Sequence, residues 1–355
     1  MNIKSLLLGS AAALAAVSGA QAADAIVAAE PEPMEYVRVC DAFGTGFFYI
    51  PGTETCLKIG GYVRFQVDWN DNNVDKNWNA RTRALLNFDA RTDTELGTLR
   101  SYIGVRGWAD SDYGRPTTDP GTTFEIDEAY ITIGGFKVGY GYNYWDAGLS
   151  GETDDLGSNR LNMIGYEYKG DAFSAGIFVD ELTGFQDGNP LGTQSAAIAY
   201  GDNDAVGVEA MVSGKFGAVS AQLLGGYDFN AEEGAIRGIV TAAIGPGELG
   251  LGAVWASGPS AYYDRSEWAV AAQYAAKFGK FTVTPAFQYY GNVGYAADLD
   301  WFSNDAWRAG VTLDYAITSG LTFKSTVNYT KVTGDTGAGF DDDAWTGFVR
   351  LQRTF

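Results

Sequence analysis

Charged side chains are the main candidates for chemistry in this sequence. The chain has no histidine, 24 Lys and Arg, 44 Asp and Glu, and a formal net charge of −20. Because histidine is the usual general base and a common zinc ligand, its absence excludes Ser-His-Asp and Cys-His catalysis and argues against a zinc centre. Carboxylate-pair and Ser-Lys chemistry stay open, so a hydrolase remains the enzymatic alternative. The acidic balance argues against nucleic acid as a partner.

Two groups of charged residues differ in sign and in position. Eight basic residues lie between small or apolar neighbours, namely Arg64, Arg81, Arg83, Arg100, Arg106, Arg308, Lys324 and Arg350. The segment 143–159, in contrast, contains four acids and no base: Asp146, Glu152, Asp154 and Asp155. In a narrow aqueous passage, carboxylates facing guanidinium groups would create a transverse field that orients dipolar solutes. The simpler interpretation is that the arginines pair with nearby carboxylates such as Asp68 and Asp89, while the acids of the segment are only solvated.

The elements that carry these residues have the period of β-strands. In 321–330, Leu321, Phe323, Val327 and Tyr329 alternate with polar residues, and the last twelve residues alternate in the same way. Each such stretch is about ten residues long and has one apolar face. By strand parity, all eight basic side chains lie on the polar faces.

The aromatic residues decide between two all-β architectures. A soluble sandwich would bury the apolar faces in a core, whereas a membrane barrel would turn them to lipid and collect aromatics near strand ends. Aromatics favour the strand ends here, for example Trp69, Trp255 and Trp345 near long connections and Tyr168 and Phe281 near short ones. The pattern therefore predicts a transmembrane β-barrel.

Seven short connections join fourteen predicted strands, and the first and last strands bring the number to sixteen. An even number is typical of a bacterial barrel with short periplasmic turns and long outer loops. The predicted strands lie at 58–69, 79–92, 98–108, 123–133, 136–142, 160–168, 172–181, 205–214, 218–228, 235–244, 248–257, 266–276, 281–291, 305–317, 321–332 and 344–355. Parity places the alternating stretch 195–200 inside an outer loop, and Pro285 predicts a bulge in its strand. The basic residues then lie on six strands that are consecutive across the barrel closure, which makes them one arc of the wall.

The two ends of the chain carry further signals. Residues 1–22 have the positive start, the short apolar run and the Ala20-Gln21-Ala22 cleavage site of a signal peptide. We expect 23–57 to be a periplasmic lead-in, where the oxidising compartment favours a disulfide between Cys40 and Cys56. We expect 58–355 to be the barrel, and no later apolar run approaches the ~18 residues of a transmembrane helix.

The chain resembles the alphaproteobacterial general porins over essentially its whole length. The resemblance lies in the leader MNIKSLLLGSAAAL, the cysteine segment EYVRVCDAFGTGFFYIPGTETCLKIGGYVRF, the stretch TELGTLR and the end DDAWTGFVRLQRTF. It implies a sixteen-stranded barrel, trimeric in the bacterial outer membrane, through which small hydrophilic solutes pass passively. It also implies that the third outer loop, 143–159, folds into the lumen and narrows it. A terminal Phe355 is similar to the residue that the outer-membrane assembly machinery reads.

Other expectations concern partners and alternatives. The predicted outer loops are acidic. Their acids are either solvated or hold divalent cations that bridge to lipopolysaccharide. They are Asp71, Asp75, Asp298, Asp300, Asp335, Asp341, Asp342 and Asp343. No cofactor and no dedicated metal site are expected.

A substrate-selective channel, for example for sugars, is the alternative function. Such a channel would need a track of aromatic side chains along the lumen. The inward aromatics, such as Tyr62, Tyr102 and Tyr290, do not line up on neighbouring strands.

Overall fold

The computed structural model describes residues 37–71, 78–110, 122–182, 204–296, 298–334 and 343–355. The predicted signal peptide and the first part of the predicted lead-in, 23–36, therefore lie outside the described residues. Val39–Phe355 forms one compact unit. No helix among the described residues is long and apolar enough to cross a membrane.

Sixteen antiparallel strands close into a barrel in the part of the chain that the structure describes. A two-residue strand, β1 (Phe48–Tyr49), precedes them and pairs with the first barrel strand. The barrel strands are β2 (Cys56–Asn70), β3 (Trp78–Thr94), β4 (Gly97–Asp110), β5 (Thr122–Ile133), β6 (Phe136–Tyr142), β7 (Arg160–Lys169), β8 (Phe173–Glu181), β9 (Val206–Phe216), β10 (Val219–Asp228), β11 (Glu233–Ile244), β12 (Gly247–Ala256), β13 (Ser266–Phe278), β14 (Phe281–Val293), β15 (Asp305–Thr318), β16 (Leu321–Thr333) and β17 (Asp343–Thr354). Each pairs with its sequence neighbour, and β17 pairs with β2, with Leu351 opposite Phe65. The predicted sixteen-stranded barrel is confirmed, and no strand bound differs from the prediction by more than two residues.

The apolar faces of the strands point outward. On β2, Ile59, Val63 and Phe65 are 47–50% exposed, whereas the inward Gln66 is 4% exposed. Aromatics at strand ends are exposed as well, including Trp345 and Phe281. An exterior of this kind is stable only against hydrocarbon, because apolar area exposed to water costs free energy.

The connections are short at one end of the barrel and mostly long at the other. Tight turns follow every second strand from β3 onward, and most of them contain a glycine with positive φ, such as Gly134 and Gly135. The expectation of long outer loops is wrong between β10 and β11, where only Phe229–Glu232 joins the strands. The reason is that the Asp228 carboxylate accepts hydrogen bonds from Asn230 N at 2.9 Å and Ala231 N at 3.0 Å, which closes the turn on itself.

Two other expectations concern irregular strands. The bulge predicted at Pro285 is wrong: residues on both sides of it keep one register with β13, although the pairs at Pro285 itself are missing. Pro285 still faces Val311 on β15 in regular register. The stretch 195–200 falls within the connection between β8 and β9, outside the described residues.

The segment before β2 is fixed to the barrel by a covalent bond. Cys40 and Cys56 form the expected disulfide, with their Cα atoms 6.0 Å apart. They form a small buried cluster with Phe47, and the Phe47 ring lies under the inward cations Arg91, at 5.0 Å, and Lys58, at 5.8 Å.

Candidate functional site

Residues 143–159, called loop three below, cross the lumen and bind the opposite wall. Asn143 caps a short 3-10 helix, Tyr144–Asp146, by accepting a hydrogen bond from Trp145 N. Farther along, backbone amides of the loop donate to buried side chains on consecutive strands: Gly151 N to Gln273 Oε1 at 2.9 Å, Asp155 N to Gln288 Oε1 at 2.7 Å, and Glu152 N to Thr312 Oγ1 at 3.0 Å. The inward-folded third loop is therefore a feature of this chain.

A second outer connection, 257–265, also packs inside the barrel, which the sequence did not lead us to expect. Ser260, Ala261, Tyr262 and Tyr263 are 1–3% exposed. The Tyr262 hydroxyl donates to Asp180 Oδ2 at 2.7 Å, and its ring lies 6.0 Å from the Trp145 ring of loop three. The two segments thus form one buried cluster with inward residues of β9–β16.

This packing leaves the open passage on the basic side of the barrel. Inward residues of the far wall, such as Leu224, Val254 and Gln288, are buried, whereas the inward Arg64 and Arg83 are partly exposed. All eight residues of the predicted basic arc lie on β2–β4 and β15–β17, which are consecutive through the β17–β2 pairing.

Glu152 is the loop acid that reaches the basic arc. Its Oε1 lies 2.8 Å from Lys324 Nζ and 3.6 Å from Arg350 Nη1. Arg350 also donates to Gln66 Oε1 at 2.6 Å, which fixes its side chain across the β17–β2 seam. A carboxylate from the loop and two cations from the wall therefore meet at the edge of the passage.

The other three loop acids do not contact the arc. Asp155 pairs with Arg265 at 3.2 Å, a base outside the predicted set. Asp146 accepts from Ser158 Oγ at 2.7 Å. Asp154 Oδ2 accepts from Leu149 N at 3.2 Å, and burial raises the pKa of the Asp154 carboxyl above its usual value.

Three arginines of the arc pair with carboxylates of the wall. Arg81 Nε lies 2.9 Å from Asp68 Oδ2, and Arg100 Nε lies 2.9 Å from Asp89 Oδ1. Arg106 binds Asp127 at 2.8 Å and also Glu125. For these three, the structure agrees with the simpler interpretation of local pairing.

Arg64, Arg83 and Arg308 have no ion-pair partner among the described carboxylates. Arg64 Nε donates to Gln352 Oε1 at 2.8 Å. The Arg83 guanidinium lies over the Trp108 ring at 4.8 Å. Arg308 donates to Thr330 Oγ1 at 3.0 Å and to the Thr153 carbonyl of loop three at 3.4 Å. These groups keep positive charge that the wall does not neutralise.

Three further bases contact the lumen wall or loop three and were not among the predicted residues. Arg160, the first residue of β7, shares Asp127 with Arg106 at 2.9 Å. Arg237 and Arg265 bind loop three from inside the barrel. Strand parity could have placed Arg237 inward, because it alternates with Ile236 and Gly238, but only the path of the loop shows what it binds.

The expectation that inward aromatics do not line up is wrong in one place. Tyr102 and Tyr130 are register partners on β4 and β5, and their rings stack at 5.1 Å. Arg100 lies over both rings, at 4.9 and 5.3 Å. Two stacked rings form a pair and not a track along the lumen.

The chain terminus is tied into the closing seam. Phe355 N donates to Gly61 O at 3.0 Å, and Gly61 N donates to Phe355 O at 3.2 Å. The Phe355 side chain is 57% exposed. The backbone of this residue therefore closes the barrel, while its ring is free to contact other molecules.

The acids predicted in the outer loops are only partly described. Asp75, Asp335, Asp341 and Asp342 lie outside the described residues. Asp71 accepts from Trp345 N at 2.6 Å, and Asp343 accepts from Tyr329 Oη at 2.7 Å. No cluster of three metal-binding side chains occurs within the described ranges.

Comparisons with known proteins agree on one family. A family model described as the Porin subfamily matches residues 24–349. The putative outer membrane protein y4fJ of Sinorhizobium fredii is 49% identical, over 100% of this chain and 99% of that protein. Porin Omp2b of Brucella suis is 38% identical, over 100% of both chains.

Among solved structures, the outer membrane channel DcaP of Acinetobacter baumannii matches with a TM-score of 0.63 at 14% identity, over 86% of this chain and 99% of that chain. At this identity the likeness supports the fold alone. The family match, the full-length relatives and the barrel lead to the same conclusion. The chain belongs to the porins and is an outer-membrane channel protein.

Proposed function

We propose that this porin lets small hydrophilic solutes and ions diffuse passively past a charged constriction between loop three and the basic arc. The observation that supports the constriction is the approach of Glu152 to Lys324 and Arg350 at 2.8 and 3.6 Å. Arg64 and Arg83 add unneutralised positive charge on the adjoining wall, while Glu152 lies on the loop. Because charges in a narrow passage act on ions at short range, they set its ion selectivity.

Opposite charge changes on the two sides of the passage test this proposal. We expect Arg83→Glu to shift the reversal potential in a planar bilayer with a salt gradient toward cation selectivity, and Glu152→Gln to shift it toward anion selectivity. Unit charges 4 Å apart interact by about 1 kcal/mol in water, so each variant should change the permeability ratio by up to roughly fivefold.

The control is Lys280→Glu, which changes charge in the exposed periplasmic turn between β13 and β14. Reversal potentials that stay at the wild-type value in both Arg83→Glu and Glu152→Gln would reject the constriction.

A substrate-selective channel is the second candidate, and the stacked Tyr102–Tyr130 pair is the observation that favours it. Flat apolar rings suit the faces of sugars, but a selective channel needs several of them in succession. Liposome swelling separates the two functions: rates that fall smoothly with solute size indicate general diffusion, whereas saturation with one sugar indicates a binding site.

Further parts of the proposal concern partners. We propose a homotrimer, recognition of Phe355 by the outer-membrane assembly machinery, and contacts of the outer-loop acids with lipopolysaccharide, with or without divalent cations. We propose no catalytic activity and no cofactor. Two observations support the proposal that the protein has no catalytic activity: the relatives are porins, and the sequence has no histidine.

A further inference from the structure

Arg237 is the most deeply buried arginine among the described residues, and its guanidinium group does not line the open passage. It lies on β11, between Leu224 on β10 and Val254 on β12, and it is 1% exposed. It forms no ion pair with a described carboxylate. A buried guanidinium costs free energy unless its N–H groups find acceptors, so its partners explain why it is there.

Those partners are backbone carbonyls from both arms of loop three. Arg237 Nη1 donates to Trp145 O at 2.6 Å and to Leu156 O at 3.1 Å, while Nη2 donates to Tyr144 O at 2.8 Å. The guanidinium also lies over the Trp145 ring at 5.1 Å. One side chain thus ties the outgoing arm of the loop, at its 3-10 helix, to the returning arm at Leu156.

The contact differs from the neutral ones at the tip of the loop. There, Gln273, Gln288 and Thr312 each accept from one backbone amide, a bond of about 1 kcal/mol. Arg237 instead satisfies three buried carbonyls at once with charge-assisted bonds, which are roughly twice as strong. Its planar fork holds two donor nitrogens apart in a rigid plane, so Nη1 and Nη2 bind different carbonyls, whereas a lysine donates from one nitrogen on a flexible stem.

We propose that Arg237 is a positioning residue that holds loop three across the lumen and thereby sets the width of the passage. This inference rests on the proposed function, because the width matters only if solutes pass beside the loop. Arg237 does not touch the solute. It acts by clamping the two arms, so that the Glu152 side of the loop stays at a fixed distance from the basic arc.

The test compares Arg237→Met and Arg237→Lys with Arg353→Met. Arg353 is a matched control, because it also donates to backbone carbonyls, those of Ser319 and Thr354, but at the exposed periplasmic rim. Single-channel recording with neutral polyethylene glycols of increasing size measures the largest polymer that enters the passage, called the size cut-off. We expect both Arg237 variants to have a larger size cut-off and more open-channel noise than the wild type. Arg353→Met should keep the wild-type values.

The proposal is overturned if both variants fold and keep the wild-type size cut-off and noise. It is also overturned if Arg237→Lys by itself keeps the wild-type values, because the proposed clamp needs the guanidinium. Should neither variant fold, amide hydrogen exchange of the wild-type protein decides: protection of 144–156 comparable to that of β11 supports the clamp, and fast exchange overturns it. A wild-type protein that forms no channel would overturn the proposed function itself, which separates the two failures.

Discussion

Paired and unpaired arginines have different consequences within the same lumen. Arg81, Arg100 and Arg106 bind wall carboxylates, so each contributes a local dipole more than a net charge. Arg64 and Arg83 have no such partner among the carboxylates that the structure describes and are held by an amide and by aromatic rings. Selectivity should therefore depend more on the unpaired arginines than on the arginines that wall carboxylates already neutralise.

Asp154 gives a prediction that depends on pH. Burial raises the pKa of its carboxyl in the folded protein above the ordinary value of 3.8. The folded state then binds this proton more tightly than the unfolded state. Protonation of Asp154 therefore stabilises the fold fully below the unfolded pKa, and this stabilisation is lost as pH rises through the raised pKa. Asp154→Asn removes the cost of burying a charged carboxylate and keeps an oxygen that can accept from Leu149 N.

We therefore expect Asp154→Asn to match the wild type near pH 3 and to become more stable than the wild type as pH increases. The measurement is the temperature at which the folded band is lost in a heat-modifiability gel, from pH 3 to pH 8. Asp146→Asn, at an exposed position of the same loop, is the control. A difference between Asp154→Asn and wild type that stays constant across this range contradicts the argument.

At the scale of elements, the disulfide holds the segment before β2 and not the barrel. It closes a loop with a sequence separation of 16 residues, which stabilises the closed segment by about 3 kcal/mol. We expect Cys40→Ser/Cys56→Ser to let chymotrypsin cut at Phe43 and Phe47 while single-channel conductance stays near the wild-type value. Equal resistance of both proteins to chymotrypsin would show that β1 and the cation contacts of Phe47 hold the segment without the bond.

The last strand gives a prediction about assembly. The backbone of Phe355 bonds to Gly61, whereas its ring is exposed, so Phe355→Ser keeps the closure of the barrel. We expect this variant to refold in detergent as the wild type does, but to reach the outer membrane in a smaller amount. Phe281→Ser, which removes another exposed periplasmic aromatic, should reach it normally. Wild-type amounts of Phe355→Ser in the outer membrane would argue against the assembly signal.

How far the sequence predicts the elements depends on what determines each one. The number and bounds of the strands follow from the alternation of apolar and polar residues, because every strand has lipid on one side and water on the other. Arg160–Lys169 keeps this alternation although Asn162 lies on its outward face. The short turn at Phe229–Glu232 could not be found this way, because it depends on hydrogen bonds of one carboxylate, that of Asp228. The inward path of 257–265 depends on packing of Tyr262 against loop three, a contact between segments far apart in the chain.

At the scale of the whole molecule, the barrel is divided into a filled side and an open side. Loop three and 257–265 bury one part of the wall, and the basic arc faces what remains of the lumen. The arc could be predicted because it needs only strand parity and closure. The partners of Asp154, Asp155 and Arg237 could not, since they depend on how the two loops fold inside.

The apolar exterior of the barrel contacts hydrocarbon, while its polar interior encloses a water-filled path across the membrane. Conductance of the purified mature protein in a planar lipid bilayer tests this arrangement most directly. We expect stepwise, ohmic channels whose conductance rises in proportion to salt concentration. A protein that stays soluble without detergent and adds no conductance to the bilayer would contradict it.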